Sequence, residues 1–412
     1  MKELLERFVR YAEITTTSDI HKDICPSTEC QWDLLRLLEQ ELEDLGLSDI
    51  SLNENGYLIA RLESNTTEDV PVIGLMAHVD TAADVSGTDV KPQIHKNYDG
   101  SPIVLKDGTV IDPAEDSHLG KYRGETIITS DGTTLLGADD KAGVAEIMTA
   151  IKYFVENPEE KHGTVEIIFT PDEETGKGMD RFPREKLKSV FCYTLDGGEE
   201  GEIDSECFNA YGVDVHFEGR AIHLGDARGR LVNAVTMSSS FIGMLPQAES
   251  PEATDGRFGY YCPFEVTGGV EKADLMLFLR DFELSELKRR IEALKTLGKA
   301  VEAMFPGGRV SVSEKKQYLN MREHMDKIPE GMEYLLKAAA AAGVVTTSEI
   351  IRGGTDGARL SEMGIPTPNI FTGGHNYHSK KEWAVLSTME KSCMTAINLV
   401  KLWAGQEVRT SV

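Results

Sequence analysis

The segment "TVEIIFTPDEETGKG" at residues 164–178 decides the fold. Its apolar run at 165–169 predicts a buried strand, and the strand ends in a turn that places Asp172, Glu173 and Glu174 side by side. A solvated turn would explain these like charges, since Asp, Pro and Gly favour such turns. The alternative is a site that needs two carboxylates at one point.

Three other predicted strands also become polar where they end. They are "PVIGLMAHVD" at 71–80, the run that closes at Leu135 and Leu136, and "SVFCYTLDGG" at 189–198. Helical patterns alternate with these runs, which predicts an α/β fold with a central sheet. Since open α/β sheets build their sites at the carboxyl ends of strands, the shared polar ends count against a solvated turn.

A different pattern begins at about residue 208. Strand and helix patterns alternate there at 210–219, 229–245, 271–281, 284–305 and 307–318. They predict a smaller α+β domain at 208–320. The α/β pattern then resumes with a helix at 331–342, a strand at 365–371 and a helix at 386–404. We therefore expect a discontinuous catalytic domain, formed by 1–207 and 321–412, with a central mixed sheet flanked by helices.

Length, charge and cysteine content narrow the function further. A chain of 412 residues exceeds what one core usually covers, which favours two domains. Its net charge of -26 would repel phosphate backbones and anionic lipid, so neither nucleic acid nor membrane is an expected partner. The first residues, "MKELLERFVRYAEI", have helical spacing without a signal-peptide core, so a cytoplasmic location is expected. The cysteines lack a C-x-x-C pair and are expected to be reduced thiols that bind no metal.

Candidate metal ligands lie at the predicted strand ends. His78 and Asp80 are two residues apart and point to the same side of the sheet, so Asp80 can hold the far ring nitrogen of a ligand His78. Asp139 and Asp140 stand at a strand-to-helix junction. Taken singly, these are a core histidine and a helix N-cap.

The full set of strand-end residues favours a metal pair. Asp196 precedes glycines that allow close backbone approach, and a late histidine follows, either His375 or His378. Two imidazoles and three carboxylates suit Zn²⁺, and a bridging carboxylate would offset the charge of two adjacent ions. The set comprises His78, Asp139, Glu174, Asp196 and one late histidine.

Long segments of the chain carry a resemblance to a known family. They read "AHVDT", "LLGADDKAG", "TPDEETGKG", "YTLDGG", "IRGGTDGARLSEMGIPTPNIFTGG" and "NYHSKKEW". Together they resemble the signature of peptidase T, a family of bacterial aminotripeptidases in the dinuclear zinc exopeptidase superfamily. The resemblance spans essentially the whole chain.

The resemblance implies a role for each candidate. It implies two Zn²⁺ per subunit, a general base at Glu173 and an orienting residue at Asp80. It implies His378 rather than His375 as the late ligand and Asp139 rather than Asp140 as the bridge. We further hypothesise a strained, cis peptide bond before Asp140. The implied ligands are His78 and Asp196 for one ion, Glu174 and His378 for the other, and Asp139 for both.

The inserted domain would be a lid over the site, as in relatives. The family pattern H-P-G-x-A-K-G-x-x-x-N-A stands here as "HLGDARGRLVNA", with Leu224 in place of Pro and Arg228 in place of Lys. His223 and Asn233 keep their places, and His223 is expected to stabilise the developing oxyanion. Arg280 and Arg352 are cations of the kind that a peptide's carboxylate needs, although such residues are usually solvated.

The expected reaction is removal of the N-terminal residue from short peptides, especially tripeptides. Zn²⁺ would activate a shared water and Glu173 would transfer its proton. The alternatives are a related two-zinc deacylase or carboxypeptidase, and a catalytically silent peptide-binding protein. Relatives often dimerise through the lid, which makes a homodimer an expectation that the sequence itself does not fix.

Overall fold

The computed structural model describes residues 2–408, and the chain forms two compact units. The first unit contains the chain up to Ser205, Met321–Glu349 and the part from Thr355 onward. The second contains Glu206–Asn320 and Ile350–Gly354. This division differs from the predicted insertion at 208–320 chiefly in the short segment Ile350–Gly354, which precedes the helix of the Gly-rich turn.

Both units mix helices and strands. The helices are α1 (Lys2–Ala12), α2 (Gln31–Asp44), α3 (Ala138–Glu156), α4 (Ala234–Gly243), α5 (Leu284–Met304), α6 (Arg322–Met325), α7 (Pro329–Ala341), α8 (Asp356–Glu362) and α9 (Leu386–Trp403). The strands are β1 (Ser48–Leu52), β2 (Leu58–Leu62), β3 (Ile73–His78), β4 (Gln93–His95), β5 (Ile103–Val104), β6 (Val110–Ile111), β7 (Ile127–Thr129), β8 (Val165–Thr170), β9 (Phe191–Gly197), β10 (Glu202–Cys207), β11 (Asn209–Glu218), β12 (Tyr260–Gly268), β13 (Lys272–Asp281), β14 (Arg309–Tyr318), β15 (Thr347–Ile351), β16 (Asn369–Phe371), β17 (Gly374–His375) and β18 (Trp383–Val385).

The largest sheet has eight strands in the order β1-β2-β8-β3-β9-β16-β10-β15. Its centre is parallel: β3 pairs with β8 on one side and with β9 on the other, and β9 pairs with β16. The register sets His78 of β3 opposite Thr170 of β8. Because these central strands run in the same direction, the residues that follow β8, β3 and β9 meet at one edge of the sheet.

The central strands of this sheet are buried, and helices pack against them. Every residue of β3 and β8 is buried, as expected for parallel strands with both faces covered. Helix α3 packs on β3 and β9 and also contacts α1 and α9. The fold class predicted from the sequence, an α/β domain with a mixed sheet flanked by helices, is therefore confirmed.

One predicted strand is wrong. Leu135 and Leu136 are buried but lie in an irregular segment, and the neighbouring strand is β7, which ends at Thr129. The backbone N–H of Leu135 donates to Ser86 O, and that of Leu136 donates to the carboxylate of Glu382. A buried apolar run thus satisfies its backbone through loop and side-chain acceptors instead of a sheet partner.

The second unit contains one antiparallel sheet in the order β12-β13-β11-β14. Helices α4 and α5 contact this sheet, and their apolar faces share one core with it. The predicted α+β composition is therefore confirmed, with β12 as a strand that sequence patterns did not indicate. Among residues 2–408, no helix combines the length and apolar character that a membrane crossing requires.

Candidate metal centre

His78 stands at the end of β3 with two carboxylates beside its ring. Its Nε2 atom lies 2.9 Å from Oδ1 of Asp139 and 3.5 Å from Oδ1 of Asp196. Asp139 belongs to the first turn of α3, and Asp196 to the end of β9. The end of β3, the end of β9 and the start of α3 thus bring one imidazole and two carboxylates together.

His378 forms the second half of the cluster. Its Nε2 atom lies 3.0 Å from Oε2 of Glu174 and 3.4 Å from Oδ2 of Asp139. Asp139 therefore directs one carboxylate oxygen toward His78 and the other toward His378. This is the arrangement that a carboxylate shared between two cations requires.

Asp140 lies close to the same cluster. Potential ligand atoms of His78, Asp139 and Glu174 lie within 4.8 Å of one another, and so do those of His78, Asp140 and Asp196. However, Oδ2 of Asp140 accepts the backbone N–H of His78 at 3.1 Å. Asp139 is therefore the better placed of the two to face both imidazoles. The peptide bond between Asp139 and Asp140 is cis, as hypothesised from the sequence.

Asp80 joins the two ligand-bearing segments. Nδ1 of His78 lies 3.0 Å from the backbone oxygen and 3.3 Å from Oδ1 of Asp80. The two carboxylate oxygens of Asp80 accept the backbone N–H groups of Glu173, at 3.0 Å, and of Glu174, at 3.2 Å. Asp80 thus holds the turn after β8 against the end of β3, in addition to facing the ring of His78.

Asp172 has a supporting contact that sequence reasoning did not find. Its backbone is left-handed, with φ of 60°, and its buried carboxylate accepts the N–H of Ser27 at 2.7 Å and the Nε2–H of Gln31 at 2.8 Å. The hydroxyl of Ser27 donates to the same carboxylate. Asp172 therefore fixes the start of the turn that carries Glu173 and Glu174.

The cluster carries an excess of buried negative charge. Burial raises the pKa of Glu174 to about 8 and the pKa of Glu173 well above its usual value. Hydrogen bonds to Asp139 and Glu174 raise the pKa of His378 to about 11. Among residues 2–408, Oε1 of Glu174 finds no hydrogen-bond partner. Two imidazoles amid this many carboxylates fit a pair of divalent cations, which would offset the charge and use the unpaired oxygen.

His375 is not part of this donor set. Its ring stacks on Trp383 with 3.9 Å between ring centroids, and burial lowers the pKa of His375 to about 4. The structure thus brings His378, and not His375, to the carboxylates. Spacing alone left this choice open because the two histidines are only three positions apart in the sequence.

His223 and Asn233 have local contacts within the second unit. Nδ1 of His223 accepts the backbone N–H of Gly225 at 3.1 Å. Oδ1 of Asn233 accepts the N–H of Val235 at 2.9 Å and caps α4. Helix capping accounts for Asn233 by itself, and its role toward substrate stays a prediction.

The two predicted carboxylate-binding arginines are engaged with aromatic rings and backbone oxygens. Arg352 donates to the backbone oxygens of residues 254, 256 and 258, and its guanidinium lies 5.1 Å from the ring centre of Phe208. Arg280 donates to Leu279 O at 2.9 Å and lies 5.5 Å from the ring centre of Tyr318. These contacts explain both side chains structurally, so substrate binding by either one stays a prediction.

Comparisons with known proteins identify the class of this fold and site. The sequence model of "Peptidase family M20/M25/M40" matches residues 113–402, and the chain belongs to this family of metallopeptidases. Within the family, peptidase T of Clostridium perfringens is 44% identical over 404 residues, covering 98% of this chain and 100% of that protein. Peptidase T of Geobacillus thermodenitrificans is 42% identical over 404 residues, covering 98% of each chain. The predicted relationship to peptidase T is confirmed, and with it the prediction of a hydrolase.

Solved structures share the fold over nearly the full length. Aminopeptidase PepT from Bacillus cereus matches with a TM-score of 0.77 at 22% identity, covering 98% of each chain. The YXEP protein of Bacillus subtilis, described as a dinuclear metal binding peptidase from the M20 family, matches with a TM-score of 0.68 at 14% identity, covering 98% of this chain and 99% of that one.

Proposed function

We propose that the protein is an aminopeptidase that removes the N-terminal residue from tripeptides, with two Zn²⁺ ions and Glu173 as general base. The observation that carries this proposal is the carboxylate of Asp139, whose two oxygens face His78 and His378. Peptidase T relatives and the Staphylococcus aureus structure described as a tripeptidase support the choice of substrate.

The donor set divides naturally into two halves. His78 and Asp196 would hold one ion, His378 and Glu174 the other, and Asp139 would contact both. Imidazole nitrogens with carboxylate oxygens are a ligand set that suits Zn²⁺. When bound, the ions would polarise the scissile carbonyl and lower the pKa of the attacking water.

Glu173 is a carboxylate beside this set that the proposed ligand scheme does not use. Its backbone N–H is fixed by Asp80, and burial raises the pKa of its carboxyl group. A carboxylate held next to the reacting water can take its proton and deliver it to the leaving amine. Such proton transfer contributes about 10²- to 10⁴-fold to a rate.

Residues of the second unit would contact the peptide. His223 would donate to the developing oxyanion, the role that the family pattern implies. Asn233, Arg280 and Arg352 are proposed as further contacts with the peptide, the arginines with its carboxylate. A homodimer through the second unit and a cytoplasmic location complete the proposal, and light scattering of the purified protein tests the oligomeric state.

Metal analysis combined with a substrate panel tests this function. The purified protein should contain about two Zn²⁺ per chain, and chelation should abolish tripeptide hydrolysis that Zn²⁺ restores. Tripeptides should exceed dipeptides and N-acyl amino acids in kcat/KM. A preference for N-acyl amino acids would favour a deacylase, and release of the C-terminal residue a carboxypeptidase. No hydrolysis of any tripeptide by metal-loaded protein would favour a silent peptide-binding protein.

A further inference from the structure

Glu382 is a buried carboxylate that the proposed reaction does not use. Only 1% of its surface is exposed. Its Oε2 atom accepts the backbone N–H of Leu136 at 2.6 Å and that of Gly137 at 2.8 Å, and its Oε1 atom accepts the backbone N–H of Asp139 at 3.2 Å. One side chain therefore holds three backbone donors of the segment that ends at the shared carboxylate.

Among residues 2–408, neither a strand nor helix α3 itself supplies these three donors with an acceptor. The first N–H groups of a helix lack intrahelical acceptors, and residue 137, the N-cap of α3, is a glycine without a side chain to supply one. The preceding residues form an irregular buried segment and not a strand. Glu382 therefore acts as the cap of α3 from a distant part of the chain, and it fixes the backbone of Asp139 directly.

Glu382 also belongs to the turn that carries the second histidine. Its own N–H donates to Ser379 O at 3.2 Å, and the hydroxyl of Ser379 donates to Asn376 O at 2.7 Å. His378 lies within this turn in a left-handed backbone conformation, with φ of 57°. Glu382, from the turn that carries His378, thus binds the segment that carries Asp139, whose carboxylate faces His378.

We propose that Glu382 is a positioning residue of the metal centre. By holding the N–H groups of 136, 137 and 139, it keeps the carboxylate of Asp139 between His78 and His378, and so raises the affinity for metal. This inference rests on the proposed two-zinc site. Groups that orient metal ligands typically change metal affinity by 10- to 100-fold when they are removed.

A purely structural cap is the competing explanation, and Glu166 provides a matched control for it. Glu166 is also fully buried, and its Oε2 atom accepts the backbone N–H groups of Lys188, at 3.0 Å, and Ser189, at 2.9 Å. It lies near the start of β8, whereas the cluster gathers beyond the end of that strand. Loss of its carboxylate should therefore cost stability without touching the metal ligands.

The test compares zinc affinity in wild type, Glu382→Gln and Glu166→Gln. Glutamine keeps the shape of the side chain but replaces one acceptor oxygen with an NH₂ group that faces N–H donors. Metal-free protein is titrated with Zn²⁺ against a chromophoric chelator at fixed pH, and thermal unfolding of the metal-free protein is recorded alongside. We expect Glu382→Gln to weaken zinc binding by about 10- to 100-fold and Glu166→Gln to leave it unchanged, while both lower the Tm.

Glu382→Asp provides a second test of the inference if Glu382→Gln does not fold. It keeps the charge but is one methylene too short to reach all three N–H groups, so it should also weaken zinc binding. Wild-type affinity in a folded Glu382→Gln or Glu382→Asp protein, together with a lowered Tm, would overturn the inference and leave only a structural cap. Failure of the wild type itself to take up about two Zn²⁺ in the same titration would instead refute the proposed site.

Discussion

Glu173→Gln and Glu174→Gln should separate turnover from metal binding. The two residues are adjacent, of the same type, and each is anchored through its backbone N–H to one oxygen of Asp80. Each substitution therefore leaves the anchor of the turn intact and serves as the control for the other. Of the two, Glu174 is the residue with a carboxylate oxygen recorded opposite His378, at 3.0 Å.

The expected magnitudes follow from these contacts. Glu173→Gln removes the proposed base and should lower kcat by about 10²- to 10⁴-fold, or about 3–5 kcal/mol in the activation barrier, with both metals retained. Glu174→Gln removes one of the three ligands proposed for the ion at His378 and should reduce the metal content from about two to about one per chain.

The assay combines elemental mass spectrometry of gel-filtered protein with tripeptide turnover at saturating substrate. Zinc added back to Glu174→Gln should restore part of its activity, whereas added zinc should not rescue Glu173→Gln. Equal loss of metal in the two variants would refute the assignment of base and ligand. Retention of wild-type kcat by Glu173→Gln would refute its role as the base.

Two further substitutions test the buried carboxylates outside the ligand set. Asp172→Ala removes the acceptor of the buried backbone N–H of Ser27 and should lower the unfolding free energy by about 1–3 kcal/mol, measured in urea. The control Asp180→Ala removes an exposed ion pair with Arg359 and should cost at most about 1 kcal/mol. An equal cost for both would contradict the anchoring role. Burial raises the pKa of Glu146 well above its usual 4.5, so the unfolded state loses this proton at lower pH than the folded state and stability falls as pH rises above about 4.5. Glu146→Gln should therefore be the more stable protein at pH 8 and lose that advantage toward pH 4, and a pH-independent difference in urea midpoints would exclude this explanation.

Local sequence patterns were sufficient to predict which residues lie at the ends of regular strands. The run before His78 and the run before Asp196 form β3 and β9, and the turn after β8 carries Glu173 and Glu174. In each case a continuous apolar run indicates a strand that is buried on both faces of a parallel sheet, and the first polar residues indicate where that strand ends. The residues at these three strand ends lie close together because β8, β3 and β9 are neighbouring parallel strands.

The failures have equally local causes. Strand β12 lacks apolar alternation because most of it is exposed, and it contains Pro263 at a register shift, which is typical of an edge strand. The segment at 135–136 is apolar because it is buried, but its backbone partner Glu382 lies 246 positions from Leu136. No local pattern distinguishes a buried strand from a buried loop that is held by so distant an acceptor.

The carboxylates around the cluster therefore fall into two groups with different requirements. Ligand candidates such as Asp139 and Glu174 direct oxygens at imidazoles, and their mutual repulsion needs cations to offset it. Asp80, Asp172 and Glu382 instead accept backbone N–H groups, which stabilise buried negative charge without metal. Because the second group holds the turns that carry the first, the positions of the ligand candidates are largely set by the protein itself, which would leave less ordering to oppose binding of the proposed ions.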